Sequence, residues 1–191
     1  MINKKWQELI SELIIGTPFF KLFKKDFRLP DGMVIKDYYL IEKTPSVHIA
    51  AITNEKKIVL IKHYRPGFGE VSIELPAGLI ETQETAAAAG KRELLEETGY
   101  KTDNLSEISN FSQDTSRFTG CACHLFLAQD LQKIKRGRLS QEAKEIEVVE
   151  ISISEAIEMI KNGQIKDLPT IAGLLLVRLF IYLLTGLGLI F

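Results

Sequence analysis

Very little in this sequence cross-links or cages anything by itself. It has two cysteines, Cys121 and Cys123, one residue apart, and three histidines among 191 residues. So small and close a pair cannot build the disulfide lattice of a secreted mini-domain, and it lacks the spacing of a zinc knuckle. Net charge is equally scarce: 24 Lys and Arg oppose 25 Asp and Glu, leaving −1. No broad positive field exists to hold a polyanion, which removes nucleic acid as the default partner. An export signal is missing too, because Gln7, Glu8, Ser11 and Glu12 interrupt the apolar residues that follow Lys4 and Lys5. A reducing, cytoplasmic location is therefore expected. What the chain does have is ordinary core material, 46% hydrophobic and 26% charged residues, enough for one domain and an extra element.

Residues 4–15 place Trp6, Leu9, Ile10, Leu13 and Ile14 at helical spacing, so a short amphipathic helix is predicted over the segment 1–18, stopping at Gly16-Thr17-Pro18. From Phe19 onward, short β-branched and aromatic runs alternate with turn signals such as Pro30-Asp31-Gly32 and Arg65-Pro66-Gly67. Strands are predicted near 25–29, 33–42, 46–53, 57–65, 71–74, 105–113, 121–128 and 145–151. Helices are predicted over 83–98, ended by Gly99, and from Ser154 as N-cap to Asn162. Strands in blocks with helices between them imply a mixed α/β or α+β sandwich.

The last 21 residues, Ile171 to Phe191, hold 14 Leu, Ile, Val or Phe and one charge, Arg178. As a helix they would measure about 31 Å, close to a bilayer core of about 30 Å, but the uncharged stretch after Arg178 is only about 20 Å long. Two expectations stand: a buried closing helix with an apolar tail from 176 onward, packed on the N-terminal helix or on a partner subunit, or contact of both termini with a membrane surface.

The segment Gly78–Tyr100 carries the chemistry. Glu93, Glu96 and Glu97 are spaced i, i+3, i+4, so a helix projects all three carboxylates from one side, where they repel unless something positive sits among them. Clustered hard oxygens suit Mg2+ or Mn2+. Arg92 is placed to orient a carboxylate through a bidentate pair. Cys121, Cys123, Leu125 and Leu127 alternate as one strand face and read as core, and His48 and His63 read as structural strand residues.

The full spacing is Gly78, five residues, Glu84, seven residues, Arg92-Glu93-Leu94, one residue, Glu96-Glu97, one residue, Gly99-Tyr100. It resembles the Nudix box, with Tyr100 where an aliphatic residue is usual. Arg28-Leu29-Pro30-Asp31-Gly32, His63-Tyr64-Arg65 and Glu74-Leu75-Pro76-Ala77-Gly78 extend the likeness to the ADP-ribose or nucleoside-diphosphate-sugar pyrophosphatase branch of Nudix hydrolases, over about residues 20–175. The resemblance implies a Nudix-type α/β/α sandwich with a mixed sheet over 45–175, preceded by a small β-region over 19–44 that two subunits of a homodimer exchange. It implies Mg2+-dependent cleavage of the pyrophosphate of a nucleotide-sugar substrate.

On that footing Glu93, Glu96, Glu97 and the Ala77 carbonyl are the expected metal ligands. Glu84 holds the loop against the helix, and Glu142, or else Glu145, is the water-activating base. Arg65 takes a substrate phosphate, and Phe27 and Arg28 take the nucleobase. The branch commonly shows a proline about sixteen residues past the box, where this chain has Ser112 to Thr119 without one. Arg117 and Thr119 are therefore further candidates for contacting a different nucleotide or sugar. GDP-sugars, dinucleotides, coenzymes and a non-catalytic nucleotide-binding module remain open as alternatives.

Overall fold

The computed structural model describes residues 5–112, 114–134 and 145–185, with the backbone alone for the last five. Two compact units emerge. One runs up to Pro45 and takes in Ser112–Ala122; the other comprises Ser46–Phe111 and the chain from Cys123 onward.

The first unit is a four-stranded sheet in the order β1-β2-β3-β10, formed by β1 (Gln7–Gly16), β2 (Phe20–Arg28), β3 (Val34–Lys43) and β10 (Phe118–Thr119). The predicted helix over 4–15 is thus corrected to an edge strand, antiparallel to β2. The misreading has a physical origin. The pairing with β2 skips Leu9 and Ile14, two bulges that each insert a residue and break the period-two alternation. Apolar residues then fall in doublets four apart, Leu9-Ile10 and Leu13-Ile14, which imitates a helical face. Thr17 closes the β1–β2 turn, its Oγ1 accepting from the Phe20 amide at 2.9 Å. The N-terminal element offered for packing on the apolar tail or for a membrane surface is thus a strand and not a helix.

The second unit is built on a seven-stranded mixed sheet. Its main path is β13-β5-β4-β11-β9, from β4 (Ser46–Ile52), β5 (Lys57–Arg65), β9 (Asn104–Ser112), β11 (Ala122–Gln129) and β13 (Glu147–Ser152). β6 (Glu70–Glu74) pairs with β5 and β7 (Ala77–Leu79) with β4, while β8 (Tyr100–Lys101) and β12 (Gln132–Lys133) form a separate antiparallel pair. The central pair β4–β11 is parallel and β13–β5 antiparallel. Alternation along β4, β5 and β11 sends Ala50, Ile58, Leu60, Leu125 and Leu127 to one face, against Ala156 and Ile157 of α2 (Ile153–Lys161) and Leu174 and Val177 of α3 (Leu168–Thr185). It sends Val47, Ile49, Ala51, Val59, Phe126 and Ala128 to the other, against Ala89 and Leu94 of α1 (Ala86–Thr98). Helices therefore cover both faces, giving the α/β/α sandwich with a mixed sheet.

α1 starts three residues later than predicted because Gln83 adopts a left-handed φ of 69° and Thr85 caps the helix, accepting from the Ala88 amide at 3.2 Å. Gly99, at φ 75°, ends it. The cap of α2 is Ser152, not Ser154: its Oγ accepts from the Glu155 amide at 3.1 Å, which places Ile153 inside the helix. α3 buries Thr170, Leu174 and Val177 and exposes Leu168, Leu175, Leu179 and Phe180. Among the described residues no helix is long and apolar enough to cross a membrane. The apolar tail beyond Thr185 lies outside the described residues.

Candidate active site

β7 and α1 build the site together. Glu93, Glu96 and Glu97 line one cleft of about 880 Å3 with Ala77, Gly78, His63, Arg65 and Glu145. Gly78 fits there because a Cβ at that position would lie 1.9 Å from Glu93 Oε1, so only a hydrogen leaves room for the carboxylate. Glu97 fixes the loop from the other side: its Oε2 accepts from the Ala77 amide at 2.9 Å.

Arg92 is the hub of the acidic cluster. Its Nε and Nη2 grip Glu84 at 3.0 and 2.9 Å, its Nη1 donates to Glu93 at 2.6 Å, and Nη2 also donates to the Leu79 carbonyl at 3.1 Å. Glu96 Oε2 stands 3.5 Å from Nη1. Glu84 thus ties the loop to the helix through Arg92, whose hydrogen bonds hold its carboxyl below the usual carboxylate range. One guanidinium orients two carboxylates and a carbonyl at once, which a lysine point charge cannot do.

One arginine does not balance the cluster. Burial pushes the Glu97 carboxyl up to about 8, only partly offset by the Ala77 amide, and the neighbouring Glu93 raises it further. Burial raises Glu93 as well, despite its bond to Arg92. Among the described residues no three His, Cys, Asp or Glu side chains form a ready-made cage for a metal. The donor set nevertheless suits a hard divalent cation: buried carboxylates held above their ordinary pKa gain most from a positive charge delivered into the cleft beside them.

The remaining predicted residues divide. Arg65 lines the cleft, but its Nε and Nη2 form a forked pair with Glu74 at 2.6 to 3.2 Å. Glu74, only 5% exposed, stands in the motif leading to Gly78 but carries no local signal of this pairing. Burial would raise its pKa, but the Arg65 hydrogen bonds outweigh this and hold it low. His63 Nε2 is 3.6 Å from Glu74 as well, so this histidine has a carboxylate neighbour. Glu145 is on the cleft wall; Glu142 lies outside the described residues.

Phe27, Arg28 and Arg117 belong to the other unit. There Phe27 packs edge to face with Trp6 and Tyr38, at centroid distances of 5.9 and 5.6 Å, and the Arg117 guanidinium sits 3.7 Å from the centre of the Tyr38 ring. Arg28 Nη1 is 3.5 Å from Gln7 Oε1.

The family profile described as NUDIX domain matches residues 42–172. The chain is 29% identical to the ADP-ribose pyrophosphatase of Bacillus subtilis (strain 168) over 162 residues, 85% of this chain and 86% of that protein. It is 31% identical over 161 residues to the methanol dehydrogenase activator of Bacillus methanolicus, covering 84% and 86%. It is 30% identical over 175 residues to the GDP-mannose pyrophosphatase of Escherichia coli (strain SMS-3-5 / SECEC), covering 85% and 90%. In fold it superposes on the crystal structure of an ADP compounds hydrolase with a TM-score of 0.82, 23% identity and 96% coverage of both chains.

Proposed function

The chain belongs to the NUDIX domain family, and from that premise we propose that it is a pyrophosphatase. It hydrolyses the phosphoanhydride of a nucleoside diphosphate sugar, ADP-ribose or a close analogue, to a nucleoside monophosphate and a sugar phosphate. The observation that carries this reading is the cleft in which Glu93, Glu96, Glu97 and Ala77 meet, with Arg92 orienting the carboxylates. The relatives named for ADP-ribose and GDP-mannose hydrolysis support the substrate class.

A pyrophosphate diester repels an anionic nucleophile, so the site must offset negative charge where water attacks. The three carboxylates and the Ala77 carbonyl would hold Mg2+, or Mn2+ in its place. When bound, the metal supplies charge neutralisation at the phosphoryl oxygens and a lowered pKa for water. Arg92 keeps Glu93 pointed into the cleft. Glu142 accepts the proton of the attacking water, with Glu145 next in line. Arg65, anchored on Glu74, directs its exposed edge to a substrate phosphate. Phe27 and Arg28 offer aromatic and cationic surface to the nucleobase, delivered across a homodimer by the N-terminal region of the second copy, and Arg117 contacts the nucleotide or sugar. The apolar C-terminal end touches a subunit or a lipid surface, which liposome co-sedimentation would distinguish. We place the protein in the cytoplasm.

The test is a panel of ADP-ribose, ADP-glucose, GDP-mannose, a dinucleotide and a coenzyme, incubated with and without Mg2+ and read by product mass. Mg2+-dependent release of a nucleoside monophosphate is expected from the sugar nucleotides first. The Glu97→Gln chain should turn over roughly a hundredfold more slowly or worse. Unchanged turnover in that variant at saturating Mg2+ would end the catalytic assignment.

A further inference from the structure

Three consecutive residues, Leu75 to Ala77, lead from β6 into β7 at the active site, and each is gripped by a different element. The Leu75 amide donates to Thr170 Oγ1 of α3 at 2.9 Å. The Pro76 carbonyl accepts from the Ile49 amide of β4 at 2.8 Å. The Ala77 amide donates to Glu97 of α1 at 2.9 Å. Because proline has no N–H, the segment has one donor, that of Leu75, just upstream of Ala77 with which to fix its register.

We infer that Thr170, 95 residues from Leu75 in the chain, is a positioning residue for the metal-holding edge of the cleft; the inference rests on the metal-dependent reading above. Thr170 and Leu75 are both 0% exposed, so no water substitutes for the hydroxyl if it is lost. The hydroxyl's own place is set: Asp167 Oδ2 accepts from the Thr170 amide at 2.9 Å and starts the helix one turn earlier. One turn later, a Cβ on Gly173 would come within 2.6 Å of Leu75 Cδ1, so the helix lies directly against Leu75 at both positions. The apolar C-terminal helix, which closes the core, therefore also sets where Ala77 stands relative to Glu97. Thr170 touches neither the substrate nor the metal and acts through Leu75 and Ala77.

Thr170→Val keeps the shape and removes the acceptor, while Thr170→Ser keeps the acceptor. Mn2+ binding to the full-length chain, measured by calorimetry without substrate, should weaken about tenfold in the valine variant and stay within about twofold in the serine variant. On the best substrate of the panel, kcat should fall with KM nearly unchanged. Val177→Ala, a core truncation on the same helix, leaves the Thr170 hydroxyl and its bond to Leu75 in place; it should lose stability and keep its Mn2+ affinity. Wild-type Mn2+ affinity in Thr170→Val, or an equal loss in Val177→Ala, would reduce Thr170 to a core hydroxyl and overturn the inference.

Should the valine variant not fold, the wild-type chain decides. Linkage requires that saturating Mg2+ slow amide exchange in peptides covering Leu75–Ala77; exchange that ignores Mg2+ there overturns the inference as well. A wild-type chain that neither takes up Mn2+ nor hydrolyses any panel compound would end the functional reading and this one together. A competent wild type beside an unaffected Thr170→Val ends this one alone.

Discussion

Strand β4 buries six of its seven residues, while strand β1 exposes all ten of its own. The two strands belong to sheets stabilised by different means. β4 sits mid-sheet with helices on both faces, so each side chain meets apolar neighbours and the transfer of surface from water dominates. In the N-terminal sheet only Cys121 among the described residues of its unit is buried. That sheet relies on main-chain ladders, the Trp6–Phe27–Tyr38 ring cluster and cross-strand pairs such as Lys25–Glu8 at 2.8 Å. The difference teaches where sequence change is felt. Burial on two faces makes a strand intolerant, and exposure makes it permissive.

The sharpest way to break that contrast is a matched pair of truncations followed by urea titration. Leu60→Ala, at a wholly buried position, should cost about 2–5 kcal/mol, and Ile10→Ala, 59% exposed on β1, less than about 0.5. Equal costs would mean that β1 is covered in solution.

The next largest effect concerns a buried group of the second unit that acts against stability. Glu97 has a folded pKa raised to about 8 by burial. A raised acid is most favourable to the fold below its unfolded pKa, and that contribution is lost as pH climbs from about 4.5 toward 8. In EDTA the wild-type chain should therefore lose up to about 3–5 kcal/mol between pH 5 and pH 8, measured by urea unfolding at each pH. Glu97→Gln should flatten the curve and be the more stable protein at pH 8, and added Mg2+ should restore the wild type but not the variant.

Arg65→Met comes third. It removes the forked partner of the buried Glu74, so at pH 7 it should cost about 1–3 kcal/mol, the arginine being part-exposed. Because the Glu74 pKa is held low in the fold, its contribution is present above the unfolded carboxylate value and fades as pH falls through the folded one. The penalty of the variant should fade with it in acid. The smallest effect is expected at the N-terminal sheet: Lys25→Ala breaks an exposed pair and should change stability by less than about 1 kcal/mol, less still in high salt.

The same contrast governs what was legible beforehand. The longer strands and the helices of the second unit were readable to within a few residues because burial imposes their periods, and the box residues because Gly78, Arg92 and the glutamates must recur at fixed spacing to meet in one cleft; the three-residue β7 was not, being too short to show a period. β1 was not readable, since two bulges disguised its period and no core demanded a regular one. The Arg65–Glu74 fork was hidden because it joins two strands through a hairpin turn. The Thr170–Leu75 bond was hidden more deeply, because nothing local to either residue announces a partner 95 positions away. The addition of Ser112–Ala122 to the N-terminal unit is likewise a property of the folded path, not of any local motif.

The missing side chain at Gly78 has a consequence for how the chain can vary. Every other amino acid would carry its first carbon into the space the Glu93 carboxylate now occupies, so the carboxylate would have to swing away from its bond to Arg92. A saturation library selected for activity should return a single letter at 78, and any revertant of a Gly78→Ala chain should be found by moving the helix rather than the loop.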